Sequence, residues 1–421
     1  MRILDLTPAT EKKLLAARLS HDAQAQRVAR RIVDDVRRRG DAALFAWTRK
    51  LDGSDTDAKS LWVSQKEIRA AARCVNPGFL HAVRQAGRNI RRIAWQQLPK
   101  PWSLSVERGV TMRQLVRPIE SVGCYIPGGH ASLVSTLLMT AIPAQVAGVP
   151  RIVVVCPKPN NEVLAVAHAL GLREVARIGG AQAVAGLAYG TKATPRVEKI
   201  CGPGNKYVTA AKQIVSTDCA IDLPAGPTEA VVLADRGDPA WIAADLLAQA
   251  EHAPDAGSFL LTTSRKLAEQ VAEQVSAQLR ALARDNPAHR SIRSAGAILI
   301  ASSLPAACNF VNRFAPEHLS LPCGSPTLVQ SLLRQIRSAG TIFLGPWSAQ
   351  PLGDYISGSN HVLPTAGWAR RRGGLSAADF VKCVIVQEIS RSGFARLAEG
   401  AERFADAENL QAHYNAVRIR R

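Results

Sequence analysis

Residues 151–190, RIVVVCPKPNNEVLAVAHALGLREVARIGGAQAVAGLAYG, decide the fold. The run RIVVVC is apolar without alternation, and the helical stretch VLAVAHALGL follows it; VARIGG and AQAVAGLAYG then repeat the pair. Continuous apolar strands separated by helices are strands buried on both faces, which means parallel sheet under helical layers. VEKICG, AVVLAD, GSFLLTT, AGAILIA and TIFLG continue the series, so the fold class is α/β from about residue 109 onward. The first hundred residues read mostly helical and charged, and the tail FARLAEGAERFADAENLQAHYNAVRIRR (394–421) is helical again. Two stretches of βα units, before and after about residue 230, predict two similar subdomains.

A chain of 421 residues with 47% apolar content buries more than one core and suggests two or three domains. No apolar run reaches membrane-spanning length, and MRILDLTPATEKKLL lacks the apolar centre of a signal peptide, so the expected address is the cytoplasm. Eight cysteines (Cys74, Cys124, Cys156, Cys201, Cys219, Cys308, Cys323, Cys383) include no CxxC pair and read as reduced core residues. The net charge of +19 raises nucleic acid as a partner class. Against it, the basic residues are spread over many helices, aromatics make up 5%, and no recognition motif appears among them. A solvated basic surface with no specific nucleic-acid partner is expected.

LLAQAEHAPD (246–255) ends a helix that starts at Asp238-Pro239, a cap followed by a first-turn proline. Gln249 and His252 stand three residues apart on one face, within reach of a single small object beside the helix, although a solvated face accounts for them equally well. Whether the helix end and the ligand-binding strand ends face the same way is open at this stage. GPGNKYV (202–208) follows VEKICG and opens a helix, one glycine short of a dinucleotide fingerprint. GCYIPGG (123–129) and PAGPTEA (224–230) are Gly/Pro loops between apolar runs. FAPEHLSL (314–321) sets Glu317 beside His318, a carboxylate and an imidazole that can divide acid and base duties. PLGDYISGSNHVLPT (351–365) supplies Asp354 and His361, and the tail adds Glu408 and His413. Each of these alone is explained as well by turn-making or solvation.

Together, AGPTE, QAEHAPD, FAPEHLSL, GDYISGSNHVLPT, GPGNKYVTAAK and IGGAQAVAGLAYG resemble the histidinol dehydrogenase family in order and interval, over essentially the whole chain. The resemblance implies oxidation of L-histidinol to L-histidine through an aldehyde stage, with NAD and one zinc ion. It places the zinc ligands on Gln249, His252, Asp354 and His413, an N/O set that also accommodates manganese or cobalt. The proton-handling pair falls on Glu317 and His318, with His318 accepting the hydroxyl proton and Glu317 activating water, both without large pKa shifts. Substrate contacts fall on Ser135, Thr228, His361 and Glu408 besides the metal ligands and His318; NAD contacts fall on Tyr125, Gln182 and Asn205.

By the same resemblance the core is two related, incomplete Rossmann-like domains with parallel sheets. Residues 23–124 with 233–375 form the first, which carries the metal and base residues; residues 125–232 form the second, which carries the NAD contacts. An N-terminal helical segment (1–22) and a C-terminal one (376–421) take part in a domain-swapped homodimer, with Glu408 and His413 completing the neighbour's site. Thr228 departs from the family's usual serine by one methyl group, and WARRRGG (368–374) is unusually basic. The competing readings are a related enzyme oxidising another polar alcohol, against which Glu408 speaks, and a basic scaffold that has lost catalysis. The second predicts broken ligand sets, whereas all four ligand positions and both proton-handling positions are filled.

Overall fold

The computed structural model describes residues 1–18, 22–128, 133–224, 226–322 and 325–421; Gly129 of GCYIPGG, Ala225 of PAGPTEA and Cys323 lie outside them. The described strands begin with β1 (Arg2–Asp5), then β2 (Trp102–Glu107) and β3 (Val110–Pro118). Next come β4 (Ser121–Tyr125), β5 (Arg151–Val155), β6 (Glu174–Ala176), β7 (Lys199–Cys201) and β8 (Ala220–Ile221). The series closes with β9 (Glu229–Leu233), β10 (Gly257–Thr262), β11 (Ala297–Ile300), β12 (His318–Leu321), β13 (Thr341–Leu344) and β14 (Val381–Ile389).

These strands make two parallel sheets of one design. The five-stranded sheet runs β6-β5-β4-β7-β8, and the six-stranded sheet runs β1-β11-β10-β9-β12-β13. Numbered from their own first strands, β4 and β9, both follow the order 3-2-1-4-5, a doubly wound sheet lacking its last strand; in the larger one β1 is added beside the third. Every ladder in both is parallel. The strands β4, β9 and β10 are buried along their whole length, which is why their sequences are apolar without alternation.

Residues 23–97, expected to group with 233–375, pack mainly on the helices of the five-stranded sheet and meet 233–375 at a smaller contact, where Asn89 donates to the carbonyl of Ile356 at 2.8 Å. The helix Ala23–Arg39 lies on the helices Gly180–Tyr189 and Lys206–Val215, the helix Gln65–Cys74 on Asn161–Ala169, and the helix Pro77–Gln97 on Val134–Ala147. The cause is apolar matching: Ile32, Val33, Val36 and Leu44 share a core with Val153, Val184 and Leu187. Val63, Ile68, Val83 and Ile90 share another with Val122, Leu137 and Ile142. The expected boundaries 124/125 and 232/233 fall inside β4 and β9, because parallel pairing is set by partners far away in the chain.

The terminal segments are not purely helical either. β1 extends the six-stranded sheet at its edge, next to β11. β14 pairs antiparallel with β3 from Val381↔Pro118 to Ile389↔Val110, and β2 completes this third, three-stranded sheet. It exposes Trp102, Leu104, Val106, Val384 and Ile385. Cys74 and Cys383 are exposed too and do not meet the expectation of core cysteines. No helix among the described residues is long and apolar enough to cross a membrane.

Candidate active site

β9 and β12 are neighbours, with His318 opposite Ala230 in register, so the residues just before each strand meet at the amino edge of the six-stranded sheet. There Glu317 Oε2 accepts the backbone N–H of Glu229 at 3.1 Å and the hydroxyl proton of Thr228. Thr228 Oγ1 in turn accepts from Gln249 Nε2 at 2.8 Å, and Gln249 Oε1 accepts from Gln350 Nε2 at 2.6 Å. Gln350 and Asp354 occupy successive turns of the short helix Gln350–Tyr355. An unbroken hydrogen-bonded chain thus joins Glu317 to the helix that carries Asp354.

His318 sits between two carboxylates, with Nδ1 3.8 Å from Glu317 Oε2 and Nε2 3.5 Å from Asp354 Oδ1. Its ring is buried against Phe343, and among the described residues neither nitrogen is within hydrogen-bond geometry of a partner. A buried polar atom left unpaired is costly, so the site is built for something that supplies the missing contacts. Burial favours the neutral imidazole, but Glu317 and Asp354 outweigh it and hold His318 above its ordinary value. Burial likewise opposes ionisation of Asp354, while His318 beside it draws its carboxyl below the usual range.

Gln249 lies in the last turn of the helix Pro239–Ala250 and His252 two residues past its end, where the helix C-terminus carries ~0.5 of a negative charge and favours a cation. His252 Nδ1 lies 3.0 Å from the carbonyl of Ala248, which can only accept, so Nδ1 carries the proton and Nε2 keeps its lone pair. His361 repeats the arrangement. Its Nδ1 donates to the carbonyl of Asp354 at 2.9 Å, leaving Nε2 to accept from Thr136 Oγ1 at 3.1 Å. Burial holds His361 below the ordinary imidazole value, which suits that neutral role. Asp354 joins two of these groups, with its Oδ1 3.5 Å from His318 Nε2 and its carbonyl bonded to His361 Nδ1.

Thr136 belongs to the helix Val134–Ala147, which follows β4, so His361 ties this corner to the five-stranded sheet and to Ser135 in the same helical turn. Asn360 Nδ2 adds a second tie at 2.8 Å to the carbonyl of Met139. At the carboxyl edge of that sheet stand Tyr125, Gln182 and Asn205. Tyr125 ends β4 and its hydroxyl accepts the N–H of Gly180 at 3.0 Å; Gln182 lies in the first turn of the following helix and donates to Asp52 Oδ2 at 3.1 Å. Asn205 caps the helix Lys206–Val215 through the N–H groups of Tyr207 and Val208. β4 and β7 flank the point where the strand order reverses, the crevice where open α/β sheets bind ligands. At Gly202, with φ +116°, a Cβ would fall 2.2 Å from the carbonyl oxygen of Tyr125, so only glycine lets this loop approach.

The chain matches the family model for histidinol dehydrogenase over residues 16–421. It is 45% identical to histidinol dehydrogenase of Vibrio parahaemolyticus over 92% of this chain and 90% of that one. With the enzyme of that name from Methanosarcina barkeri it shares 42% identity over 100% and 97% of the two chains. The crystal structure of histidinol dehydrogenase from Elizabethkingia anophelis superposes with a TM-score of 0.92 at 36% identity, covering 100% of this chain and 97% of that one. The chain belongs to the histidinol dehydrogenase family.

For a histidinol dehydrogenase of this chain alone, Glu408 and His413 stand apart. Both are exposed, on or beside the C-terminal helices Arg391–Ala407 and Gln411–Arg418, which pack on each other, and neither side chain has a hydrogen bond or ion pair among the described residues. Among the described residues no group of three or more His, Cys, Asp or Glu side chains is arranged to hold a metal ion. The donor types the chain offers there suit zinc chemically: an amide oxygen at Gln249, the free Nε2 of His252 and a carboxylate at Asp354, which stands beside the His318 ring. Sequence reading missed Gln350 and Thr136, the partners of Gln249 and His361. The signals were present: Gln350 is one helical turn before Asp354, and Thr136 follows Ser135.

Proposed function

We propose that this chain oxidises L-histidinol to L-histidine through L-histidinal in the cytoplasm, as the last step of histidine biosynthesis. Zinc is held by Gln249, His252, Asp354 and, from a second copy of the chain, His413. When bound, the ion supplies Lewis acidity that lowers the pKa of the alcohol and fixes its orientation. Tyr125, Gln182 and Asn205 would hold NAD, which would supply the hydride acceptor for both oxidations.

The chain's own residues do the rest. His318 takes the hydroxyl proton at Nε2, the nitrogen facing Asp354, while Glu317 opposes Nδ1 and steadies the imidazolium that forms. In the second oxidation Glu317 activates the water that hydrates the aldehyde, and His318 again receives the hydroxyl proton. Ser135, Thr228 and His361 position the substrate, and Glu408 of the second copy receives its imidazole end.

The single observation that carries this reading is the buried His318 ring, unpartnered at both nitrogens, between Glu317 and Asp354 and wired through Thr228 to Gln249. The second copy is supported by the apolar side chains exposed on the three-stranded sheet and by Phe404 of the C-terminal helices, which is 74% exposed. Metal analysis of the purified protein, with NADH formation from L-histidinol before and after chelation, tests the proposal. Activity lost on chelation and regained with zinc is expected. Full activity in metal-free protein overturns the ligand assignment.

A further inference from the structure

The helix Pro8–Arg18 buries none of its residues, yet its last side chain reaches the floor of the site. Arg18 Nε donates to Glu229 Oε2 at 2.7 Å, and Nη2 closes a bidentate pair on Oε1. The pair is buried, with side chains 11% and 6% exposed. The same guanidinium donates through Nη1 to the carbonyl of Phe314, its Nη2 lies 3.5 Å from that of Ala315, and its Cζ lies 3.7 Å above the Phe314 ring. One planar cation thereby grips the two segments that carry the proton-handling corner.

Both segments need holding. Glu229 presents its backbone N–H to Glu317 Oε2, so any shift at the start of β9 moves the donor that orients that carboxylate. Ala315 lies in the left-handed region at φ +49°, a conformation that a residue with a Cβ adopts only under constraint, two residues before Glu317. Arg313, in the last turn of the helix Leu304–Phe314, adds a second tether from this stretch to Glu11 of the N-terminal helix, with Nη2 donating to Oε2 at 2.7 Å. A lysine would retain the charge but not the fork, because one ammonium cannot satisfy a carboxylate bidentately and cap a carbonyl from the same plane.

We propose that Arg18 is a positioning residue for the Glu317–His318 pair, clamping the start of β9 to the Phe314–Ala315 turn. The proposal rests on the reading of Glu317 and His318 as the groups that handle protons. Removing Arg18 alone strands a buried carboxylate and risks the fold, so two variants test it: Arg18→Lys, which keeps a charge beside Glu229, and the double variant Arg18→Met with Glu229→Gln, which removes both charges together.

In folded, zinc-loaded protein each variant lowers kcat for histidinol by about ten- to a hundredfold, since small misplacements of reacting groups cost that much. The KM for histidinol and the zinc content stay within about twofold of wild type, because the metal-side groups are not touched. Hydrogen exchange of the peptide spanning residues 314–321 becomes faster in both variants. Wild-type kcat together with wild-type exchange in the two variants overturns the proposal. Should the wild-type protein fail to form NADH from histidinol, the functional reading fails, while the exchange comparison still decides the clamp.

Discussion

Thr228 donates a hydrogen bond to Glu317, and the same oxygen accepts one from Gln249 Nε2 at 2.8 Å, so one small side chain joins Gln249, a proposed zinc ligand, to Glu317, a proposed proton-handling group. The methyl that distinguishes it from serine plays no part in either bond. Thr228→Ser therefore keeps kcat/KM for histidinol within about threefold of wild type. Thr228→Val breaks both bonds and loses about 1.5–3 kcal/mol of stabilisation of a charged group, equivalent to roughly ten- to a hundredfold in rate. Steady-state kinetics of the two variants checks this; equal activity in both would show the bridge to be idle.

Glu317→Gln retains an acceptor oxygen for Thr228 and Glu229 but removes the negative charge beside His318. Because that charge helps to raise His318, its loss lowers the imidazole pKa, and the acid limb of kcat/KM moves to lower pH. The sign follows from the base being active only when neutral. The oxidation of histidinal, which needs an activated water, falls further than that of histidinol. A pH profile with both substrates measures each effect, and an acid limb that stays in place contradicts the assignment.

His252→Ala and Asp354→Ala each remove one of the proposed zinc ligands, and each is expected to leave the protein folded but depleted of zinc. Both oxidations then fall by at least about a hundredfold, the scale of losing a Lewis acid at the reacting oxygen. Metal content and NADH formation, measured on the same sample, check it.

Lys212 and Asp222 form an ion pair with side chains 4% and 1% exposed, and both also hold Gly202, through its carbonyl and its N–H. Lys212→Met strands the carboxylate and is expected to lower stability by about 3–5 kcal/mol. The midpoint of urea unfolding reports it. A loss below about 1 kcal/mol would mean that water reaches the pair.

Shared sites have a specific signature. An inactive His413→Ala variant mixed with an inactive His318→Ala variant forms hybrids in which one of the two sites is intact, so activity returns to about a quarter of wild type at equal mixing if subunits exchange freely. No recovery in hybrids isolated with distinct tags contradicts donation of His413 to a neighbour.

The sequence disclosed what is local. The apolar runs at β5 and β9 marked buried parallel strands, and Asp238-Pro239 marked a helix start. It concealed what is decided at a distance. The packing of residues 23–97 depends on matching apolar faces across more than one helix, so the domain grouping was misplaced. β14, mostly exposed and flanked by helix, carries no burial pattern to betray it; its partner β3 lies far back in the chain. Likewise Arg18 shows no sign in sequence of reaching Glu229, because the contact exists only once β9 and β12 pair.

The most direct test of the account is the ratio of NADH formed to L-histidinol consumed by the zinc-loaded protein, with the product identified. An alcohol taken to a carboxylate releases four electrons and NAD accepts two, so the account predicts a ratio of two with L-histidine as product. A ratio of one with the aldehyde accumulating, or no NADH at all, would contradict it.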